Sequence, residues 1–192
     1  MTIRVWALAI QAGVLLSFCT ACATVIDFSA ATSSTPRLRI EDCVVRIVSV
    51  TDERKSKEDL GMFGGHVVEG HQVLPWLQQA MEPLNTPEVE AEGRQDNHVK
   101  TRRLRVHIGL RQLYLHFLLM SVSATIVVQA QYQIDQQPAH SQQYRGTDTK
   151  GNWTGSESAM RTLFNEVLND VMRQIHADIH QHCQRGREKS GP

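Results

Sequence analysis

The sequence predicts an α+β protein in which a mostly antiparallel sheet carries two helices packed on one face. Apolar and polar residues alternate along residues 103–110 and again along 122–134, which is typical of strands with one buried face. Apolar residues spaced three and four apart, after residue 73 and after residue 158, indicate two amphipathic helices. Helices collected on one face of an antiparallel sheet form an α+β layer.

The first core strand is predicted at residues 43–51. This stretch is dense in β-branched residues, and Arg46 and Ser49 are the polar positions within it, as in a strand covered on most of both faces. A charged loop follows at residues 52–57. Glycines at positions 61, 64 and 65 then predict a short strand or turn around Met62–Val68, without the following helix of a phosphate-binding loop.

The remaining elements follow in order along the chain. An amphipathic helix is predicted at Leu74–Glu82, followed by a polar, acidic loop at Asn85–Asn97. The two alternating stretches are interpreted as long antiparallel strands. A turn is expected at Asp135–Pro138, then a polar strand at His140–Thr147 at or near the sheet edge. The terminal helix is predicted to begin at Ser156 or Ser158 and to end near Gly186.

The amino terminus has the pattern of an export signal. Arg4 precedes an apolar run from Val5 to Phe18, which is too short for the ~20 residues that a membrane-spanning helix requires. Small residues then lead into Cys22, so cleavage after Ala21 would leave this cysteine at the new terminus, free to be acylated. The segment resembles the lipobox of bacterial lipoproteins, although Cys19 stands where leucine is usual. The alternative is an ordinary signal peptide with Cys22 unmodified.

These features divide the chain into four segments. Residues 1–21 are the predicted lipoprotein signal peptide, and residues 22–39, rich in Ser, Thr and Ala, are the lipidated amino terminus and a linker. Residues 40–186 form one predicted periplasmic domain, and residues 187–192 a disordered tail. Twenty basic residues balance twenty acidic residues, so the charge predicts no nucleic-acid partner.

Two cysteines and two histidines are the candidates for bonds or chemistry inside the domain. Cys43 and Cys183 could pair in an oxidising periplasm, or remain two buried thiols. His176 and His180 lie one helical turn apart and are weak candidates for a metal site, since surface positions beside the apolar stripe explain them equally. Motifs for nucleophilic hydrolysis are missing from the sequence. We therefore expect neither an enzyme nor a cofactor.

Short segments that match one known family are spread over nearly the whole chain. They are Thr20-Ala21-Cys22-Ala23, Val44–Val50 with Asp52-Glu53-Arg54, Trp76–Leu84, Leu104–Leu115, Val122–Tyr132, Tyr144-Arg145 and Leu168-Asn169-Asp170. On these pieces the chain resembles the YajG family of uncharacterised bacterial lipoproteins. The acidic loop at Asn85–Asn97 departs from the family pattern. The resemblance implies an outer-membrane lipoprotein with a small α/β domain facing the periplasm, and no assigned enzyme activity.

The sequence therefore predicts a non-enzymatic envelope lipoprotein, held on the outer membrane by acyl chains, that binds another envelope protein. The glutamines Gln129, Gln131, Gln133, Gln142 and Gln143 supply a polar surface for that contact. The alternative is a lipoprotein that handles lipid or lipopolysaccharide, which would use an apolar groove under the helices.

We expect Cys22→Ala to abolish incorporation of radiolabelled palmitate and to release the chain from the membrane, because several acyl chains on one residue hold a protein firmly on a bilayer. Cys19→Ala is the matched control and should retain the label. A Cys22→Ala chain that is still acylated and membrane-bound would refute the assignment.

Overall fold

The computed structural model describes residues 23–29, 40, 43–86, 102–118, 120–135, 137–151 and 156–184, and the elements below lie within those ranges. The elements are β1 (Thr24–Asp27), β2 (Cys43–Asp52), β3 (Asp59–Phe63), β4 (His66–His71), α1 (Val73–Met81) with a 3-10 turn (Glu82–Leu84), β5 (Arg102–Leu118), β6 (Ser121–Ile134), β7 (His140–Gly151) and α2 (Glu157–Gln184).

The strands form two sheets. The larger sheet has the order β2-β5-β6-β7, with β5-β6 and β6-β7 antiparallel and β2-β5 parallel. The smaller sheet has the order β1-β4-β3, with β3-β4 antiparallel and β1-β4 parallel. The α+β class with two helices is confirmed. The expected single sheet is replaced by two, because the glycine-rich hairpin pairs with β1 and does not join the long strands.

The interpretation of residues 22–39 as a linker is wrong for its first part. Thr24–Asp27 pairs in parallel with β4, and the side chains of Ile26 and Phe28 are fully buried. The structured part of the chain therefore starts well before residue 40. A strand of four residues is too short to show a period in the sequence, and its partner lies more than forty residues away. The signal segment 1–21, Cys22, residues 30–39 and the tail 187–192 lie outside the described residues.

The predicted strands, helices and turns inside the domain are confirmed where the structure describes them, whereas residues 87–97 of the predicted loop and Gly186 at the predicted end of the terminal helix lie outside the described residues. Gly64 and Gly65 have φ angles of 58° and 84° at the turn between β3 and β4, a backbone conformation that glycine adopts without strain. The turn after β6 is closed by Gln137, whose N–H donates to the Ile134 carbonyl oxygen at 2.9 Å. Ser156 caps α2, since its Oγ accepts the Ala159 N–H at 3.3 Å.

The charged loop after β2 differs from expectation because one of its cations is buried. Arg54 is 6% exposed and donates to both carboxylate oxygens of Asp52, at 2.9 and 2.8 Å. Burial alone would raise the pKa of Asp52, but the hydrogen bonds and charge of Arg54 hold it below its usual value. The Asp52-Glu53-Arg54 stretch thus folds back on itself at the end of β2.

The core lies between the large sheet and the helices. Every second residue of β6 from Ala124 to Tyr132 is buried on this side. The predicted stripe of α2 is also buried; its members are Met160, Leu163, Phe164, Val167, Leu168, Val171, Ile175 and Ile179. Phe28 contacts Trp76 of α1 and Phe164 of α2, with ring centroids 4.8 and 5.4 Å apart. Trp76 Nε1 donates to Asn165 Oδ1 at 2.8 Å, so β1, α1 and α2 meet in one aromatic cluster.

Helix α2 approaches β7 most closely at Gly146. A Cβ atom at this position would lie 2.7 Å from the Val167 carbonyl oxygen and 2.9 Å from a methyl group of the same residue. The helix backbone and the strand leave no room for a side chain there. Gly146 therefore sets the distance between α2 and the sheet.

We expect Gly146→Ala to lower the free energy of unfolding by about 1–3 kcal/mol, the usual cost of inserting a methyl group into a packed contact. Gly151→Ala, in the same strand, is the matched control, because its Cβ would have no neighbour within 4 Å. Urea unfolding followed by circular dichroism measures both. Equal midpoints for the two variants would contradict the close approach.

Candidate functional site

The face of the large sheet that turns away from the helices is polar. Strand pairing places its side chains in two rows across the sheet: Ser49, His107, Gln131 and Ser141 in the first, and Thr51, Gly109, Gln129 and Gln143 in the second. We call these two rows, with Glu53 and Arg111 beside them, the polar face. The rows continue the alternation that buries Ile108, Val128 and Ala130 on the other side.

A cavity of about 190 Å³ opens on the polar face. A chain of polar contacts crosses it from β2 to β7. Arg111 forms an ion pair of 2.8 Å with Glu53, and its Nε donates to Gln129 Oε1 at 2.7 Å. The Gln129 amide nitrogen then donates to Ser141 Oγ at 2.6 Å. These side chains hold one another in place and leave a hydrogen-bonding surface that is already organised before any partner arrives.

Gly109 makes room for part of this network. A Cβ atom at residue 109 would lie 2.7 Å from a carboxylate oxygen of Glu53, so the carboxylate lies directly over the glycine backbone. Close by, the Ser49 hydroxyl lies 2.9 Å from Nδ1 of His107 and joins β2 to β5. Sequence reasoning did not single out Glu53, His107 or Arg111, because their convergence depends on which strands are neighbours.

The predicted glutamine surface is divided between the two faces of the sheet. Gln129, Gln131 and Gln143 lie on the polar face. Gln142 pairs with Ala130 and shares the helix side of β7 with Tyr144, so its inclusion in a common surface is wrong. The reason is the period of two, which sends neighbouring strand residues to opposite faces.

The two edges of the large sheet differ. The β2 edge is covered by the segment after the 3-10 turn: Val45 N–H donates to Thr86 Oγ1 at 2.9 Å, and Thr86 N–H donates to the Val45 carbonyl at 3.0 Å. Ile47 N–H donates to Asn85 Oδ1 at 2.7 Å. At the other edge, β7 pairs with β6 and has no second neighbour among the described strands. The expectation of a polar strand at the sheet edge is confirmed.

Two tyrosines and an aspartate join β6 and β7 to α2 beneath this edge. The hydroxyls of Tyr132 and Tyr144 lie 2.6 Å apart, and Tyr144 donates to Asp178 Oδ2 at 2.5 Å. Burial raises the pKa of both tyrosines, and for Tyr144 the bond to Asp178 raises it further, so both hydroxyls remain protonated. The cluster fixes α2 on the sheet.

The two histidines of the weak candidate metal pair, His176 and His180, are half-buried on α2. The rings of His176 and His180 are 4.8 Å apart, and the pKa of His176 is lowered by burial and by the charge of His180. The carboxylate of Asp178, between them in the sequence, accepts the Tyr144 hydroxyl. In the described ranges, no group of three or more His, Cys, Asp or Glu side chains is arranged to hold a metal ion.

Cys43 and Cys183 are joined, with their sulfur atoms 2.01 Å and their Cα atoms 5.9 Å apart. The bond connects the first residue of β2 to the last turn of α2, across a sequence separation of 140. His182 beside it packs on Tyr132 with ring centroids 4.6 Å apart. The disulfide and the tyrosine cluster hold the same end of the helix.

No protein-family model matches the sequence, and no curated protein matches it. Among solved structures, a Xanthomonas campestris protein described by the family DUF330 is similar, with 13% identity, a TM-score of 0.46, and coverage of 88% of this chain and 99% of that one. A minor lipoprotein from Acinetobacter baumannii has 14% identity and a TM-score of 0.35, with coverage of 70% of this chain and 93% of that one.

These likenesses are too distant to carry an argument about function. A lipoprotein is thus among the proteins to which this chain is similar, and the resemblance to the YajG family stays a prediction. Within the described ranges, no helix combines the length and apolar character needed to span a membrane.

We expect Cys43→Ala/Cys183→Ala to lower the free energy of unfolding by about 2–4 kcal/mol, since the bond closes a very long loop in the unfolded chain. Urea unfolding of the purified protein measures the change. A reductant should lower the urea midpoint of the original chain to that of the double variant, and it should leave the midpoint of the double variant unchanged. A midpoint that does not respond to either change would contradict a stabilising bond.

Proposed function

We propose that this chain is a non-enzymatic envelope lipoprotein, anchored through Cys22 on the periplasmic side of the outer membrane, that binds another envelope protein along β7. The observation that carries the proposal is the contrast between the two sheet edges. Asn85 and Thr86 bond the outer backbone groups of Val45 and Ile47 in β2, whereas β7 runs for 12 residues with no neighbour beyond it among the described strands.

An uncovered strand is a template for a further strand. The backbone N–H and C=O groups along such an edge bind an extended segment of another protein, and alternate side chains select the sequence. At ~3.4 Å per residue, the edge of β7 is about 40 Å long. This is ample for a binding strand of ordinary length.

The side chains of β7 oppose pairing between two copies of this chain. Arg145, Asp148 and Lys150 place both signs of charge along the strand, and most of its residues are exposed. Charged edges of this kind resist edge-to-edge association. A partner with a complementary charge pattern would pair where a second identical edge does not.

The polar face supplies a second part of the binding surface. Ser141 and Gln143 belong to β7 and also to the rows of the polar face, and the Glu53–Arg111–Gln129 chain leads to Ser141. A partner strand beside β7 would therefore lie next to donors and acceptors held in fixed positions. Backbone pairing would supply affinity, and this surface would supply selectivity.

Export to an oxidising compartment agrees with the Cys43–Cys183 bond, because such bonds persist mainly outside the cytoplasm. Lipid or lipopolysaccharide handling remains the alternative function. It would use an apolar groove under the helices, but the apolar side chains there pack together as the buried core, and polar residues such as Ser49, Thr51 and Gln131 line the cavity on the polar face. Protein binding therefore fits this site better than lipid binding.

We expect a photo-crosslinking amino acid at position 143 or 147 to capture one defined envelope protein in living cells. Both positions are exposed on β7. Position 173 on α2, where the Arg173 side chain is 72% exposed, is the matched control and should not capture that protein. Mass spectrometry identifies the adduct. Lipid adducts at the β7 positions would support the alternative, and equal capture at all three positions would overturn the proposal.

A further inference from the structure

The exposed apolar side chains are concentrated at one end of the protein. Seven large hydrophobic residues are exposed in the described ranges, and five of them occur at two adjacent hairpin tips. Met62, Phe63 and Val67 belong to the β3-β4 hairpin, and Leu118 and Met120 to the β5-β6 hairpin. Exposed apolar groups collected in this way indicate a contact surface.

The two tips form one surface. The rings of Phe63 and Phe117 are 4.9 Å apart. A Cβ atom on Gly61 would lie 2.5 Å from the Leu115 carbonyl oxygen, so β3 lies directly against β5. We call Met62, Phe63, Val67, Phe117, Leu118 and Met120 together the tip patch.

The two hairpin tips carry no permanent charge of their own, and Lys150 of β7, which pairs with Val122 beside the β5-β6 tip, forms an ion pair with Glu166 at 2.7 Å. The sequence contains no Asp, Glu, Lys or Arg from residue 60 to 68, and none from residue 112 to 134. His66 and His116 are the titratable groups within the two tips. The patch can therefore leave water without removing a permanently charged group from its hydration shell, which would be costly.

The start of β1 identifies what covers the patch. Because β1 and β4 are parallel, Thr24 pairs with Val68, next to Val67, which pairs in turn with Met62. Cys22 lies two residues before Thr24, a span of at most ~7 Å. Acyl chains on Cys22 would therefore enter the bilayer beside the tip patch. The proposed acyl anchor alone brings a lipid surface to this end of the protein, whereas the presence of a protein partner here would need a further binding site to explain it.

We propose that the tip patch inserts shallowly into the bilayer surface beside the acyl anchor and fixes the orientation of the domain. The inference rests on the proposed lipidation of Cys22. Exposed backbone at Gly64 and Gly65 limits the depth, because unpaired peptide groups do not enter the hydrocarbon core. The side chains reach the headgroup and acyl boundary, ~5–10 Å deep, as in other interfacial segments.

The orientation has a direct consequence for β7. Its last residue, Gly151, pairs with Ser121 at the tip, and its first residue, His140, pairs with Tyr132 toward the opposite end. With the tip on the membrane, β7 extends from the bilayer surface into the periplasm, and its open edge faces sideways. The proposed binding edge is thereby presented at a fixed angle and is not left to a freely rotating tether.

Full-length, acylated protein in phosphatidylcholine–phosphatidylglycerol vesicles tests the proposal. An environment-sensitive fluorophore is attached to the cysteine of the Met120→Cys variant, because Met120 is 71% exposed. The same fluorophore on Gln137→Cys, in the turn at the opposite end of the sheet, is the matched control. Cys43 and Cys183 are joined and do not react. We expect a nitroxide-bearing lipid to quench the label at position 120 and to leave position 137 unchanged.

A second variant separates insertion from mere proximity. A fluorophore on Met62→Cys should be quenched by the nitroxide-bearing lipid when Leu118 and Met120 are present. In the Leu118→Ser/Met120→Ser background this quenching should be lost, because two exposed apolar groups no longer hold the tip in the interface. Vesicle flotation and palmitate incorporation report on the anchor independently. Protein that floats but shows equal quenching at positions 120 and 137 overturns the inference alone, whereas unacylated protein that does not float overturns the anchor and the inference with it.

Other occupants give different results. If a second copy or another protein covers the tip patch, a water-soluble quencher fails to reach position 120 and the nitroxide lipid fails as well. That outcome overturns bilayer insertion. Shielding from the soluble quencher together with quenching by the lipid supports it.

Discussion

The structure depends on the burial of one apolar stripe. Nine residues of α2 from Met160 to Ile179 are removed from water, and at ~25 cal/mol per Å² this is a large favourable contribution of the helix to the fold. Gly146 allows the helix backbone to reach the strand. This contact decides which face of the long strands is inner. Every outward feature, including the polar face, follows from that choice by alternation.

A disulfide, a hydrogen-bonded tyrosine pair and an aromatic cluster then fix the two ends of the packed layer. At one end, the disulfide of Cys43 and Cys183 lies near the Tyr132–Tyr144–Asp178 chain and holds the last turns of α2. Toward the start of the helix, the aromatic cluster around Phe28 joins the small sheet to both helices. The domain is therefore held at both ends, and the outer edge of β7 takes no part in these contacts.

The proposed anchor, tip patch and binding edge have compatible directions. The membrane contact lies at the end where β5 finishes and β6 begins, and β7 runs along the sheet from the opposite end toward it. A protein on a flexible tether would present its binding edge at many angles. Two points of contact with the bilayer restrict these angles and lower the entropy lost when a partner strand pairs with β7.

The sequence by itself determined the α+β class, the long alternating strands, the apolar stripe of the terminal helix and the turns at the glycine pair and Asp135. These features are local. A period of two or of 3.6 residues, like the conformational freedom of glycine, can be recognised within a short stretch of sequence. Tertiary structure decided the rest. The strand at Thr24–Asp27, the buried Arg54, the convergence of Glu53, His107 and Arg111, and the meeting of the two hairpin tips all depend on which distant strands become neighbours. That choice is made by packing among residues far apart in the chain, which no local pattern encodes.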